Sequence, residues 1–141
     1  MKNKLLIGVL VVFLVLAVVF FALWQTARRD NSDVLTLAQA GAAGSLDSFK
    51  AYRERGDEAD YWQAVADFRA FEQAYYLLVQ GTNKSSNYIF CNEVYSELVI
   101  HPERCQEHID EIIETMTILA ADVTDENGYM RMSSLRNTLS K

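Results

Sequence analysis

The sequence predicts an all-α protein: a single N-terminal transmembrane helix, then an antiparallel helical bundle of about four helices plus a short C-terminal helix. Three observations carry that expectation. Residues Leu5 to Trp24 read LLIGVLVVFLVLAVVFFALW, twenty positions without a charge. From residue 33 on, apolar residues recur at spacings of three and four, and no stretch alternates at period two for long enough to suggest a half-buried strand. A single Pro and six Gly in 141 residues leave few points at which helices must stop.

Residues 1–4 form a short basic tail carrying Lys2 and Lys4. As a helix, segment 5–24 would span roughly 30 Å, the thickness of a bilayer's hydrocarbon core. In lipid the backbone can bond only to itself, which forces that conformation. Trp24 stands where an interfacial aromatic is expected, and Arg28 and Arg29 follow in a juxtamembrane segment, 25–32. The run is longer than the roughly 7–15 residues of a signal-peptide core. Phe20 stands two positions before Ala22 and Gln25 two before Ala27, so neither alanine completes a small-x-small cleavage pair. The expectation is therefore an uncleaved, single-pass signal-anchor. Lys2 and Lys4 place the N-terminus in the cytoplasm and the domain outside, against the opposing pull of Arg28 and Arg29.

The bundle domain is expected over 33–141. Its first helix runs from about Asp33 to Arg55, with Leu35, Ala38, Ala42, Leu46, Phe49 and Tyr52 inward and no strong breaker separating it from the apolar run. Gly56 ends it, and Asp57, Glu58 and Asp60 favour a new helix start because the dipole attracts negative charge there. The second helix, about Glu58 to Gln80, carries the stripe Tyr61, Val65, Phe68, Phe71, Tyr75 and Leu78, widened by Trp62, Ala64, Tyr76 and Val79. A third, about Asn87 to Ile100, uses Cys91, Val94, Tyr95 and Leu98. His101-Pro102 divides it from a fourth, since the residue before Pro avoids the α region and Pro suits the first helical turn. The fourth carries Cys105, Ile109, Ile112, Met116, Leu119 and Val123. Asp125-Glu126-Asn127-Gly128 reads as a turn, ahead of a short helical flap from about Tyr129 to Leu139 with Met132, Leu135 and Leu139 inward. Short connections make antiparallel neighbours of such helices.

Charge narrows the range of functions. The chain carries a formal −6, but Lys2, Lys4, Arg28 and Arg29 precede residue 30. Residues 30–141 therefore hold nine basic and nineteen acidic side chains, net −10. Such a surface repels phosphate backbones, so no nucleic-acid partner is expected. Nothing matches a Gly-x-Ser-x-Gly elbow, a Gly-rich phosphate loop or a His-Glu-x-x-His motif, so no enzyme activity and no cofactor are expected. His101, Cys105, His108 and Glu111 fall close together. Cys105, however, heads the apolar stripe and His101 would have to fold back across Pro102, so no metal site is expected. The run from Asp125 to Met130 resembles part of an EF-hand loop, but Val123 and Ser134 occupy positions that calcium binding requires to be carboxylates. The carboxylates Glu103, Glu107, Asp110, Glu111 and Glu114 read as a solvated helix face.

Two cysteines in one small domain form a candidate disulfide, Cys91–Cys105, if the compartment is oxidising. Straight hairpin helices resist it. Cys91 lies ten residues before His101 and Cys105 four after, roughly 15 and 6 Å from the turn. That mismatch exceeds the roughly 7 Å allowed between bridged Cα atoms. A bond would need the third helix to begin after Cys91.

Twelve of the sixteen aromatic residues lie in the domain, and eight of those between Phe49 and Tyr76. Most can replace Leu in a bundle core. The adjacent pairs Tyr61-Trp62 and Tyr75-Tyr76 cannot all face one core, so a partner or ligand surface is expected around Trp62 and Tyr76. The expected function is a membrane-anchored helical interaction module, its partners the lipid bilayer and another envelope or membrane protein on which it docks. The alternative is a ligand-binding helical bundle that presents a small apolar molecule to a partner. A sizeable cavity between the helices would favour the second reading, and a filled core with an exposed apolar patch the first.

Overall fold

A computed structural model of the chain describes the backbone of residues 2–141 and the side chains of residues 17, 19, 20 and 31–141. The described residues form six helices and no strand: α1 (Lys2–Arg55), α2 (Glu58–Val79), α3 (Ser85–Ile100), α4 (Pro102–Glu107), α5 (Ile109–Ala121) and α6 (Glu126–Leu139). The chain divides into two compact units, Met1–Asp33 and Val34–Lys141. The first is helical, and its side chains Val19 and Phe20 are exposed. Apart from residues 17, 19 and 20, the span expected over 5–24 lies outside the described side chains, as do the basic tail and most of segment 25–32. Among the described residues, no helix is long and apolar enough to cross a membrane.

The second unit is a helical bundle whose core follows from the apolar spacing. Ala38, Ala42, Leu46 and Phe49 of α1 face Tyr61, Val65, Phe68, Phe71 and Tyr75 of α2, with Val94, Leu98, Ile112, Met116, Leu119 and the inward side of α6 completing the interior. Small residues set the α1–α2 distance. A Cβ on Gly41 would lie 2.6 Å from the Phe71 backbone nitrogen, and the buried Ser45 hydroxyl donates to the Ala64 carbonyl at 3.0 Å. α1 ends where Gly56 adopts φ +68, a left-handed conformation that costs a side chain but not glycine. Asp57 then caps α2, its carboxylate accepting from the Ala59 N–H at 2.9 Å.

α2 and α3 run antiparallel, as the Tyr61–Leu98 and Tyr76–Tyr88 contacts show. α3 and α6 run parallel, with Asn87 bonded to Glu126 at one end and Glu93 paired with Arg136 further along. The intervening α4 and α5 carry the chain back, so that α6 starts again at the end where α3 starts.

Four local expectations need correction. The fourth helix is two, broken at His108, where ψ reaches 24° and the N–H is shared between the Arg104 and Cys105 carbonyls. The segment Asp125–Gly128 is the start of α6, not a turn ahead of it: Asp125 is the N-cap, accepting from the Asn127 N–H at 2.8 Å. Nor is α6 a flap. It buries Tyr129, Met132, Leu135 and Leu139, and Gly128 leaves room for Leu119, whose Cδ2 would sit 2.3 Å from an added Cβ. Leu35, expected inward, is 40% exposed because it lies at the end of the bundle, beyond the layer that Ala38 begins.

Candidate docking surface

Among the described residues, no three His, Cys, Asp or Glu side chains are grouped so that they could hold a metal ion. Cys105 is buried, while His108 pairs with Glu111 at 3.1 Å on the surface, so those neighbours in sequence separate in space. The carboxylates of α5 point outward, Asp110 toward Arg53 at 3.1 Å and Glu114 toward Arg131 at 2.8 Å. Asp125 spends its carboxylate on the α6 cap.

Cys91 and Cys105 are both buried and unbridged. Cys91 lies within a continuous α3, whose geometry separates it from Cys105. Burial raises the pKa of both thiols, Cys105 to about 11. Both should therefore resist iodoacetamide at pH 8 in the native protein and be alkylated together once denaturant is added. A linked Cys91–Cys105 peptide after unreduced digestion would contradict that assignment.

Two open grooves flank the end of the bundle that carries Leu35. One of about 510 Å³ is lined by Leu35, Gln39, Ala40, Ala43, Asp122 and Thr124. The other, about 310 Å³, shares Leu35 and Thr124 and is walled by Leu78, Val79 and Lys84. Gln39 closes off the first from below: its amide nitrogen donates to the Ala120 carbonyl, and its oxygen accepts from the Val123 N–H at 3.2 Å. That side chain thereby caps the C-terminus of α5 and supplies partners to groups the helix leaves open.

The outer face of α2 is different in kind. Trp62 is 46% and Tyr76 42% exposed, so both expected surface residues are on it, and Leu77 joins them at 59%. The exposed residues of α2 from Ala59 to Leu77 are uncharged, three Ala and two Gln among the bulky groups, while Asp60, Asp67 and Arg69 are partly exposed at its sides. On α5 the exposed positions include Asp110, Glu111 and Glu114. In a domain whose residues 33–141 carry net −9, this ridge keeps its charged groups to the sides.

The ridge is held by its edges. Trp62 packs edge-on to Tyr61, centroids 5.3 Å apart, and the Tyr61 hydroxyl is fixed by donating to the Leu98 carbonyl at 2.8 Å. Tyr76 rests on Tyr88 of α3 at 4.8 Å. Between them Arg69 donates to Glu72 at 2.6 Å and lies over the Tyr95 ring, 4.7 Å from its centroid. With the Gln73 amide oxygen turned toward it, Arg69 also donates to Gln73 at 3.1 and 3.2 Å. The guanidinium is thus paired within the face, although its side chain remains 39% exposed. Glu72 is fully buried, and its Oε1 lacks a hydrogen bond of normal geometry. The nearby carboxylate raises the pKa of the Tyr88 phenol. Glu72 and Arg69 escape a reading of the sequence by apolar stripe, although a carboxylate on the buried arc between Phe68 and Tyr75 is itself a signal.

No family model, curated protein or solved structure matches the chain.

Proposed function

We propose that this protein is a membrane-tethered helical module that docks onto a membrane or envelope protein through the outer face of α2. The tether in this reading is the apolar segment 5–24, with the N-terminus cytoplasmic and the domain outside. Its support is the length and composition of that segment. The observation that carries the docking half is the uncharged, exposed α2 ridge around Trp62 and Tyr76 in an otherwise acidic domain. Aromatic anchors with charge kept away from them are what a desolvated contact centre needs. The reading includes no catalytic role and no cofactor.

A second reading, the ligand-presenting bundle, draws on the two grooves beside Leu35. They are open at the surface, whereas the interior between the helices is filled by side chains of the core. That balance favours docking over small-molecule capture.

The test is a photocrosslinking amino acid placed in the full chain at position 62 or 76 and irradiated in native membranes. Both positions should give a discrete adduct, and position 131 on α6 should not. Adducts at 131 but not at 62 or 76 would put the docking surface elsewhere.

A further inference from the structure

We propose that Asn127-Gly128 is a site of self-modification by water, gated by the first turn of α6. Of the chain's asparagines, Asn127 is the one followed by glycine. That neighbour matters because the reaction is internal. The Gly128 nitrogen, losing its proton to solvent base, attacks the side-chain carbonyl carbon of Asn127. A new C–N bond forms there, the bond to Nδ2 breaks, and that nitrogen leaves as ammonia. One water then opens the cyclic imide at either carbonyl, giving aspartate or its β-linked isomer, isoaspartate. Nothing is oxidised or reduced. A side chain on the following residue would crowd the attacking nitrogen, and glycine has none.

The folded first turn withholds each participant. The Gly128 N–H donates to the Asp125 carbonyl at 3.1 Å, so the nucleophile is engaged. The Asn127 side-chain amide donates to the Asp125 carboxylate at 3.0 Å, and the Asn127 N–H donates to the same oxygen at 2.8 Å. One capping carboxylate thus holds both the leaving group and the backbone that carries it. Asn127 lies within α6, and ring closure requires its backbone to rotate out of the helical conformation. On either side of it, Lys84 pairs with Glu126 at 2.6 Å and the Tyr129 hydroxyl donates to the Val123 carbonyl at 2.7 Å. Asn127 itself is exposed, so water is at hand as soon as the turn opens.

Packing fixes the labile neighbour in place. Leu119 fills the space that a Cβ on Gly128 would take, so the residue that makes the reaction fast is the one the α5–α6 contact requires. The change is one-way and hinders reclosure. It adds a carboxylate beside Asp125 and Glu126, and isoaspartate inserts a methylene into the backbone ahead of Gly128, moving that glycine off Leu119. Openings at the start of α6 are thereby recorded in covalent form.

The experiment follows Asn127 by peptide-mapping mass spectrometry in the full chain, held in mild detergent at mildly alkaline pH, with the same chain in urea as the ungated reference. In urea Asn127 should convert faster than any other asparagine. In the folded chain it should convert about tenfold more slowly or less, because the chemistry waits on opening. Asp125→Ala should speed conversion in the folded chain about fivefold, equivalent to about 1 kcal/mol for a lost N-cap, and leave the rate in urea unchanged. Asp125→Asn keeps a capping oxygen and should stay near the parent rate. If Asp125→Ala fails to fold, the parent's folded and urea rates decide between them. Equal rates in the two conditions would overturn the gate, as would a folded Asp125→Ala protein converting no faster than the parent. Absence of conversion at Asn127 in urea would overturn the site itself.

Discussion

Replacing Phe68 with Ala is expected to cost about 3–5 kcal/mol of stability, the range for emptying a buried aromatic site. The side chain is fully buried on the central stripe of α2 and packs edge-to-face with Phe71, ring centroids 5.6 Å apart. Around it lie residues from several elements, so the space cannot close by moving one of them. Thermal or denaturant unfolding of the full chain in mild detergent measures the loss. An unchanged midpoint would mean that the inward face of α2 is wrongly assigned.

Gly41→Ala is expected to destabilise the protein as well, by about 1–3 kcal/mol, although the same change on an exposed helix gains about 1 kcal/mol. The reason is local. An added Cβ would stand 2.6 Å from the Phe71 nitrogen and 2.9 Å from its Cα, and backbone atoms cannot swing aside as a flexible side chain does. α1 and α2 must part, and the bond from Ser45 to the Ala64 carbonyl lengthens with them. The same unfolding measurement decides the sign: a raised midpoint would show that the two helices are less tightly joined than described.

Most of the bundle was legible because its helices end at residues with strong local effects. Gly56 and the His101-Pro102 step mark real boundaries, and the stripe positions Tyr61, Val65, Phe68, Phe71 and Tyr75 of α2, Cys91, Val94 and Leu98 of α3 and Ile112, Met116 and Leu119 of α5 are buried. The break at His108 left no such mark. Cys105, Ile109 and Ile112 keep a helical spacing straight through it, so the pattern alone reads one helix where the backbone makes two. The start of α6 escapes the pattern for a related reason. Asn127-Gly128 is a turn signal by composition, but Gly128 is small because Leu119 occupies the space, not because the chain reverses there.

The candidate surface was legible only in part. Trp62 and Tyr76 stand out because two adjacent aromatic pairs cannot share one core. The rest of the ridge did not, since Ala and Gln carry no signal until their exposure and the charge of the surrounding faces are known. The buried Glu72 and its Arg69 partner needed tertiary structure, because pairing at three residues apart is as common on solvated helix faces as on buried ones.

In the proposed docking reading, this protein meets its partner through the outer face of α2 around Trp62 and Tyr76. Ala66→Glu, made in the full chain carrying the photocrosslinker at position 76, tests it most directly. Position 66 is exposed, so a carboxylate there should change stability by no more than about 0.5 kcal/mol. It should nevertheless abolish the adduct from position 76, because an unpaired charge would have to be desolvated at the centre of the contact. A photo-adduct of undiminished yield from a stably folded Ala66→Glu protein would contradict the claim.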